Sequence, residues 1–320
     1  MRVLVTGGVG FVGSHLVRRL VQQGDEVHII VRPSSSIWRI DDVSRFVALW
    51  RGDLTDTEFV SRCMLKCRPE MVFHLAADTR SRGMGADFSA IKSTLAINLV
   101  ATLGLLEKLN HGDWPVRSFV RTGGLEEYGS GPYPSIESQR ESPVSPYSAS
   151  QVAATHYCVM LQQYLRFPAI TIRPALIYGP AQSSQFFIAS LIEHCLRGRD
   201  FEMTSGQQAR DLLYVDDVVD ALIRASVADG LGGQIINVGS AKEYRLLDVA
   251  QAVRAAAGAT IGLRVGCAPE RPAEIQQLVC NSDKARVLLG WAAQTDLQTG
   301  VARTVAWYRD HLDRAAADHL

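Results

Sequence analysis

Gly7, Gly10 and Gly13 recur at every third position between a short β-branched run, Val3-Leu4-Val5, and an amphipathic helical pattern that opens at Phe11 and Val12. A strand, a glycine turn and a helix in that order make a site for a pyrophosphate. Gly7 permits the tight turn, Gly10 lets the backbone approach the phosphates, and Gly13 allows the helix to pack closely on the strand. The helix N-terminus then offers unpaired N–H groups to an anion. The competing reading is a structural turn without a ligand. At the end of the second strand, where an NAD enzyme would carry an acid for the ribose 2′-hydroxyl, the chain reads Val31-Arg32-Pro33-Ser34-Ser35-Ser36. Arg32, Ser34 and Ser35 offer charge-assisted bonds to a 2′-phosphate, which favours NADP over NAD; otherwise Arg32 is an exposed arginine in a polar loop.

The elements that must position these residues alternate. Val3-Leu4-Val5 is followed by a helix from Phe11 to Gln23, a strand from Val27 to Val31, and a second helix ending near Lys66. Further strands are expected at Met71 to His74, Ser118 to Arg121 and Ala169 to Arg173, with helices near Ser89 to Leu109 and Pro146 to Leu165. This is an α/β pattern, and six parallel strands fit a doubly wound, Rossmann-type sheet. After Arg173 the pieces shorten, which predicts a smaller, discontinuous C-terminal substrate domain. The expected division gives residues 1–175 to the dinucleotide-binding domain, with 211–238 returning to it, and 176–210 and 239–320 to the substrate domain. The stretch from Gly129 to Pro146, with four prolines, is the one long loop.

Length and charge narrow the partners. With 320 residues, 47% apolar, and 33 basic against 33 acidic side chains, the chain can bury a large core and has no net charge. Nucleic acid and membrane are therefore not expected as partners. Six scattered cysteines without C-x-x-C spacing predict reduced thiols and no metal. The first apolar run is broken at once by Gly7 and Gly8, so a cytosolic protein is expected.

The glycine spacing, the tetrapeptide Tyr147-Ser148-Ala149-Ser150 and the string from Arg210 to Asp217 together resemble the extended short-chain dehydrogenase/reductase family, in its NAD-dependent epimerase/dehydratase branch. The resemblance runs from Arg2 to about Tyr308. It implies an enzyme that acts on a nucleoside-diphosphate sugar with a nicotinamide cofactor, and it implies a homodimer. It assigns Asp53 and Leu54 to the adenine, Leu75, Ala76 and Ala77 to the stretch beneath the cofactor ribose, and Asn98 to a structural role. Pro174 and Tyr178 would line the site beside nicotinamide and sugar. Arg210 and Arg271 would hold the substrate diphosphate, a task that suits the guanidinium fork.

The same resemblance supplies a catalytic pair, Tyr-x-x-x-Lys on one helix, with a Ser or Thr from the end of the fifth strand. Tyr147 takes the tyrosine position, but Gln151 stands where the lysine should be and Gly124 where the hydroxyl should be. Thr122 either substitutes for that hydroxyl or is simply a β-former. A unit charge at ~4 Å and an effective dielectric near 20 is worth about 4 kcal/mol, or roughly three pKa units. Without it Tyr147 stays neutral, a poor base for oxidising an alcohol but a usable acid for reducing a ketone. This leans towards NADPH-dependent reduction of a 4-keto sugar. Glu126 matches a glutamate of dehydratases and decarboxylases and could serve as a base for elimination, or be an exposed acid at a strand end. Glu127 beside it would point the other way. An epimerase or 4,6-dehydratase that retains NAD is the first alternative, and a cofactor-binding sensor without turnover is the second.

Overall fold

The computed structural model describes residues 1–79, 87–270 and 274–316. Its centre is a seven-stranded, wholly parallel sheet. In chain order the first six strands are β1 (Arg2–Thr6), β2 (Glu26–Val31), β3 (Val47–Arg51), β4 (Met71–His74), β5 (Ser118–Thr122) and β6 (Ala169–Pro174). Four short strands follow outside this sheet: β7 (Leu176–Tyr178), β8 (Phe201–Met203), β9 (Ala209–Arg210) and β10 (Leu212–Tyr214). The seventh strand of the central sheet is β11 (Ile235–Val238), so the spatial order is β11-β6-β5-β4-β1-β2-β3. Seven strands thus stand where six were expected: the expected return of the chain pairs Ile235 to Val238 with Thr171 to Pro174, and Val47–Arg51, given no range from the sequence, adds the far edge beside β2.

The order reverses between β1 and β4, and that reversal opens a crevice at the carboxyl ends of the two strands, where ligands bind in sheets of this kind. The faces of the sheet differ in partner. On one side α1 (Phe11–Gln22) packs with a later helix, Val215–Val227, over Val3, Val5 and Val120. On the other side lie α2 (Thr57–Cys67), α3 (Phe88–Leu95), α4 (Ala101–Asn110) and α5 (Pro146–Leu165), over Leu4, Val72 and Phe119. Adjacent residues of β5 therefore face different layers, as strand alternation requires. Asp56 caps α2 by accepting from the N–H groups of Glu58 and Phe59.

α3 and α4 are joined through a π-helical turn at Ala96–Val100 into one helical run, Phe88–Asn110, which by length and composition could cross a membrane. Here it packs against α2 and α5. A second apolar core is built by α6 (Phe187–Leu196), α8 (Leu246–Ala257) and α10 (Leu297–Ala316), with α7 (Val215–Val227) and α9 (Asp283–Leu289) packing on the first core. Small strand pairs connect the two: β7 runs parallel to β10, and β9 lies between β12 (Tyr244–Arg245) and β14 (Gln277–Leu278), while β13 (Leu263–Val265) pairs with β8.

Candidate active site

The glycine loop is shaped by backbone crowding. Gly7 has φ +72°, and a Cβ there would lie 2.8 Å from the Ala76 nitrogen in the loop after β4. At Gly13 a Cβ would stand 2.1 Å from the Gly7 carbonyl oxygen, so only glycine lets α1 sit this close to the turn. Gly10 caps α1 without a side-chain bond, and the first turn of α1 carries no acid, which leaves the helix N-terminus open to an anion. The segment Leu75-Ala76-Ala77 abuts this loop, as the Gly7 contact shows. The loop that follows β7 reaches the same place: a Cβ on Gly179 would lie 3.6 Å from the Phe11 ring, and the Pro180 carbonyl meets His15 Nε2 at 3.0 Å. These residues fit a dinucleotide pyrophosphate.

The ribose end reads differently from the sequence expectation. Arg32 and Ser34 are exposed and Ser35 is half-buried. Asp53 is exposed and held in a turn by the N–H and hydroxyl of Thr55, at 2.8 and 2.7 Å. Those bonds hold its carboxyl below the usual range, and the Arg32 charge adds to the effect. The cation expected to receive a 2′-phosphate therefore has a carboxylate within electrostatic reach. Leu54, next to Asp53, is half-buried.

From β1 a buried hydrogen-bond chain runs to α5. The Thr102 hydroxyl donates to the Asn98 carbonyl, so it must accept from His74 Nε2, and His74 Nδ1 then accepts from the Thr6 hydroxyl; each His74 contact is 2.8 Å. Burial, with the Arg121 charge second, drives the His74 pKa down to about 3, so the ring is neutral. Asn98 lies within the π turn, which turns its amide to accept from the Asp78 N–H and to donate to the Ser150 hydroxyl. Ser150 in turn donates to the Tyr147 carbonyl at 2.7 Å.

Tyr147 owes its place to the start of α5. Ser145 accepts from the Ser148 N–H, Ser148 accepts from the Ser145 N–H, and Pro146 occupies the first helical position, so the helix begins one residue before the tyrosine. Tyr147 is buried to 4% exposure, and Gln151, one turn on, to 3%. Gln151 Oε1 accepts from the Arg121 guanidinium, a partner that sequence spacing did not reveal. Arg121, on β5, also donates to the Thr155 hydroxyl at 2.8 Å.

Two expectations are corrected here. Thr122 cannot be grouped with Tyr147. Arg121 points to α5, so its neighbour Thr122 points with Val120 to the layer of α1 and α7. Tyr178 does not line the cleft: it is 1% exposed, it packs on Tyr214, and its hydroxyl lies against Gly300 of α10. Parallel pairing of β7 with β10 turns it into the second core, and only the backbone of Tyr178-Gly179-Pro180 passes the cofactor loop. Pro174 closes β6, buried beside Val238.

The segment after β5 forms a short 3-10 turn, Leu125–Tyr128, rather than an extended end. Glu127 makes that turn: its Oε1 accepts from the Gly124 N–H at 3.0 Å, while its Oε2 accepts from Thr155 at 2.8 Å and from Arg173 at 2.6 Å. Arg173 also holds Glu141 at 2.7 Å and lies over the Tyr128 ring. Burial pushes the Tyr128 hydroxyl up to about 12. Glu126 is half-buried, and a Cβ on Gly124 would lie 2.5 Å from its Oε2. The carboxylate thus fills the space that a hydroxyl side chain at position 124 would take.

Glu126 is also within electrostatic reach of Arg210 in the second lobe. Arg210 is 8% exposed and donates to Glu274 at 2.6 Å, so a diphosphate would share or displace that carboxylate. Burial lowers its pKa. Arg271 lies outside the described residues. Glu270 and Glu274 on either side of it both bond the 205–210 stretch, through Ser205, Gln208 and Arg210. Among the described residues no group of acids, histidines and cysteines is arranged to hold a metal.

Known proteins resemble this chain over nearly its whole length. A family model described as GDP-mannose 4,6 dehydratase matches residues 4–304. A UDP-glucose 4-epimerase of Mycolicibacterium smegmatis is 33% identical over 97% of this chain and 99% of its own. The structure of the Thermotoga maritima UDP-glucose 4-epimerase with UDP-glucose superposes with a TM-score of 0.89 at 27% identity, covering 98% of this chain and 100% of that one. The Thermus thermophilus UDP-glucose 4-epimerase complex with NAD gives 0.85 at 30% identity, covering 97% and 99%. The chain belongs to the extended short-chain dehydrogenase/reductase family, among the NAD-dependent epimerases and dehydratases.

Proposed function

We propose that the protein is a nucleotide-sugar 4-epimerase that retains NAD, rather than a 4-keto-sugar reductase fed by NADPH. The observation that carries this reading is the turn after β5. Elimination of water from a hexose needs a base at one carbon and an acid at the departing hydroxyl. Glu126 is the one acid this turn offers to the cleft, because Leu125 is buried in the core and Glu127 is committed to Arg173. Hydride transfer at C4 makes no such demand.

In this reading NAD, held by the Gly7-to-Gly13 turn and the N-terminus of α1, would supply a hydride acceptor and donor at C4, so that return of hydride to the opposite face of the sugar would invert that carbon. Tyr147 takes the 4-hydroxyl proton and gives it back, with the Glu126 carboxylate, over Gly124, holding the hydroxyl in place of the missing Ser or Thr. Arg210 receives the diphosphate from the far side of the cleft, joined by Arg271. NAD fits the ribose end better than NADP, since a 2′-phosphate beside Arg32 would also meet the Asp53 carboxylate. One similar structure bears on the same point: the Thermus thermophilus UDP-glucose 4-epimerase is described in complex with NAD. We further propose that the protein works as a homodimer through α3 to α5, where Phe88, Val100, Tyr157 and Tyr164 are exposed.

The test is incubation of the purified protein, without added cofactor, with UDP-glucose, UDP-galactose and dTDP-glucose, followed by product analysis. Interconversion of 4-epimers is expected, with activity lost by about 10²–10⁴ in Tyr147→Phe. A 4-keto-6-deoxy product would instead assign dehydration, and turnover only of keto sugars with added NADPH would restore the reductase.

A further inference from the structure

The family lysine does two things: it bonds the nicotinamide ribose, and its charge favours the tyrosinate. Gln151 keeps an amide for the first task and has no charge for the second. The structure nevertheless holds a cation at this point. Arg121 rises from β5 beneath α5 and is 2% exposed. Its guanidinium donates to Gln151 Oε1 and, at 2.8 Å, to Thr155 Oγ1, with Thr171 at 3.5 Å. No carboxylate is bonded to it directly among the described residues. The nearest acid in the network, Glu127, is reached through Thr155 and is itself held by Arg173. A buried guanidinium bound to neutral groups keeps most of its field.

We propose that Arg121 supplies, from the strand beneath the helix, the positive charge that a lysine at position 151 would carry, with Gln151 as the residue through which it is positioned next to Tyr147. Arg121 is thus a positioning residue, and the pair Arg121 and Gln151 divides between two elements what one side chain does elsewhere. Among the described residues, the charged and titratable groups around it come from three sides. From β4 comes His74, kept neutral; from α5, Cys158, whose thiol burial pushes up; from the turn and β6, Glu127 with Arg173. Among the described residues, acids further out at this end of the sheet include Asp78 after β4, Glu126, Glu141 and Glu137, the last accepting from the Asn237 N–H. The Arg121 field already registers on two of these neighbours, His74 and Cys158.

The inference rests on the reading of Tyr147 as the proton-transferring group, and its test needs no sugar substrate. Tyrosinate absorbance of the NAD-bound protein is titrated from about pH 6 to pH 11, and each protein is compared with its own Tyr147→Phe partner to isolate Tyr147. Wild type is expected to ionise at least one unit below the unperturbed tyrosine value of about 10. Arg121→Met should raise that midpoint by one unit or more, a tenfold loss of tyrosinate at neutral pH, and Arg121→Lys should recover most of it. The double variant Arg121→Met/Gln151→Lys moves the charge back to the helix and should titrate within about half a unit of wild type. It also serves if Arg121→Met does not fold. An unshifted midpoint in Arg121→Met, or a double variant titrating a full unit below wild type, overturns the proposal. Failure of the epimerase reading would show separately, as sugars left unconverted by a protein whose Tyr147 still titrates with Arg121.

Discussion

The two ends of the cleft are built from different materials. At the dinucleotide end the groups that matter are backbone: the turn at Gly7, the open N-terminus of α1, and the missing side chain at Gly13, where a Cβ would sit 2.1 Å from a carbonyl. At the catalytic end they are side chains from separate elements, with Arg121 on β5, Gln151 on α5 and Glu126 on the turn between. A backbone site has one solution per position, because space alone dictates glycine. A side-chain site can keep its charges and shapes while the residues that supply them change places. The family pattern is accordingly kept at the first end and redistributed at the second.

Four perturbations probe that contrast. The largest effect is expected at the catalytic end, from Glu127→Gln, which leaves Arg173 buried with Glu141 as its remaining carboxylate partner. Unfolding free energy should fall by about 3–5 kcal/mol in denaturant titration while the remaining folded protein still binds NAD. An unchanged midpoint would mean that the turn does not depend on that ion pair.

At the dinucleotide end, Gly13→Ala should cost about 1–3 kcal/mol in stability and weaken NAD at least tenfold, because the helix must move off the Gly7 turn. Calorimetric titration showing wild-type affinity would contradict a site set by backbone space. His74 links the two ends. Its folded pKa of about 3 lies below the unfolded value near 6.5, so the unfolded chain takes up a proton that the folded chain refuses. Stability is complete above about pH 6.5 and falls as pH drops towards 3, by about 2 kcal/mol at pH 5. Melting curves of His74→Gln should show a flatter dependence over that interval, and equal slopes would remove His74 as the source. The smallest effect concerns the ribose: wild type should prefer NAD to NADP by at least tenfold, about 1.4 kcal/mol, and Asp53→Asn should narrow the gap.

Legibility in the sequence follows the same division. The strand and helix pattern up to Arg173 was readable because each element carries its own period of apolar residues and its own caps, as at Ser145-Pro146 before Tyr147. Glycine spacing after β1 was readable because its reason is local. Glu126 and Glu127 were legible as a pair, while the separation of their roles came from a 3-10 turn that Glu127 itself closes.

By itself the sequence determined the doubly wound sheet, the pyrophosphate loop and the position of the tyrosine at the head of α5, since each depends on neighbours within a few residues. Tertiary structure alone decided that Tyr178 belongs to the second core, that Thr122 faces away from α5, and that Arg32 shares its field with Asp53. It alone decided that a buried guanidinium stands beside Gln151. Arg121 and Gln151 are 30 positions apart and meet only because α5 packs on β6, the neighbour of β5 in the sheet, and no spacing rule along one helix or one strand encodes a contact between two of them.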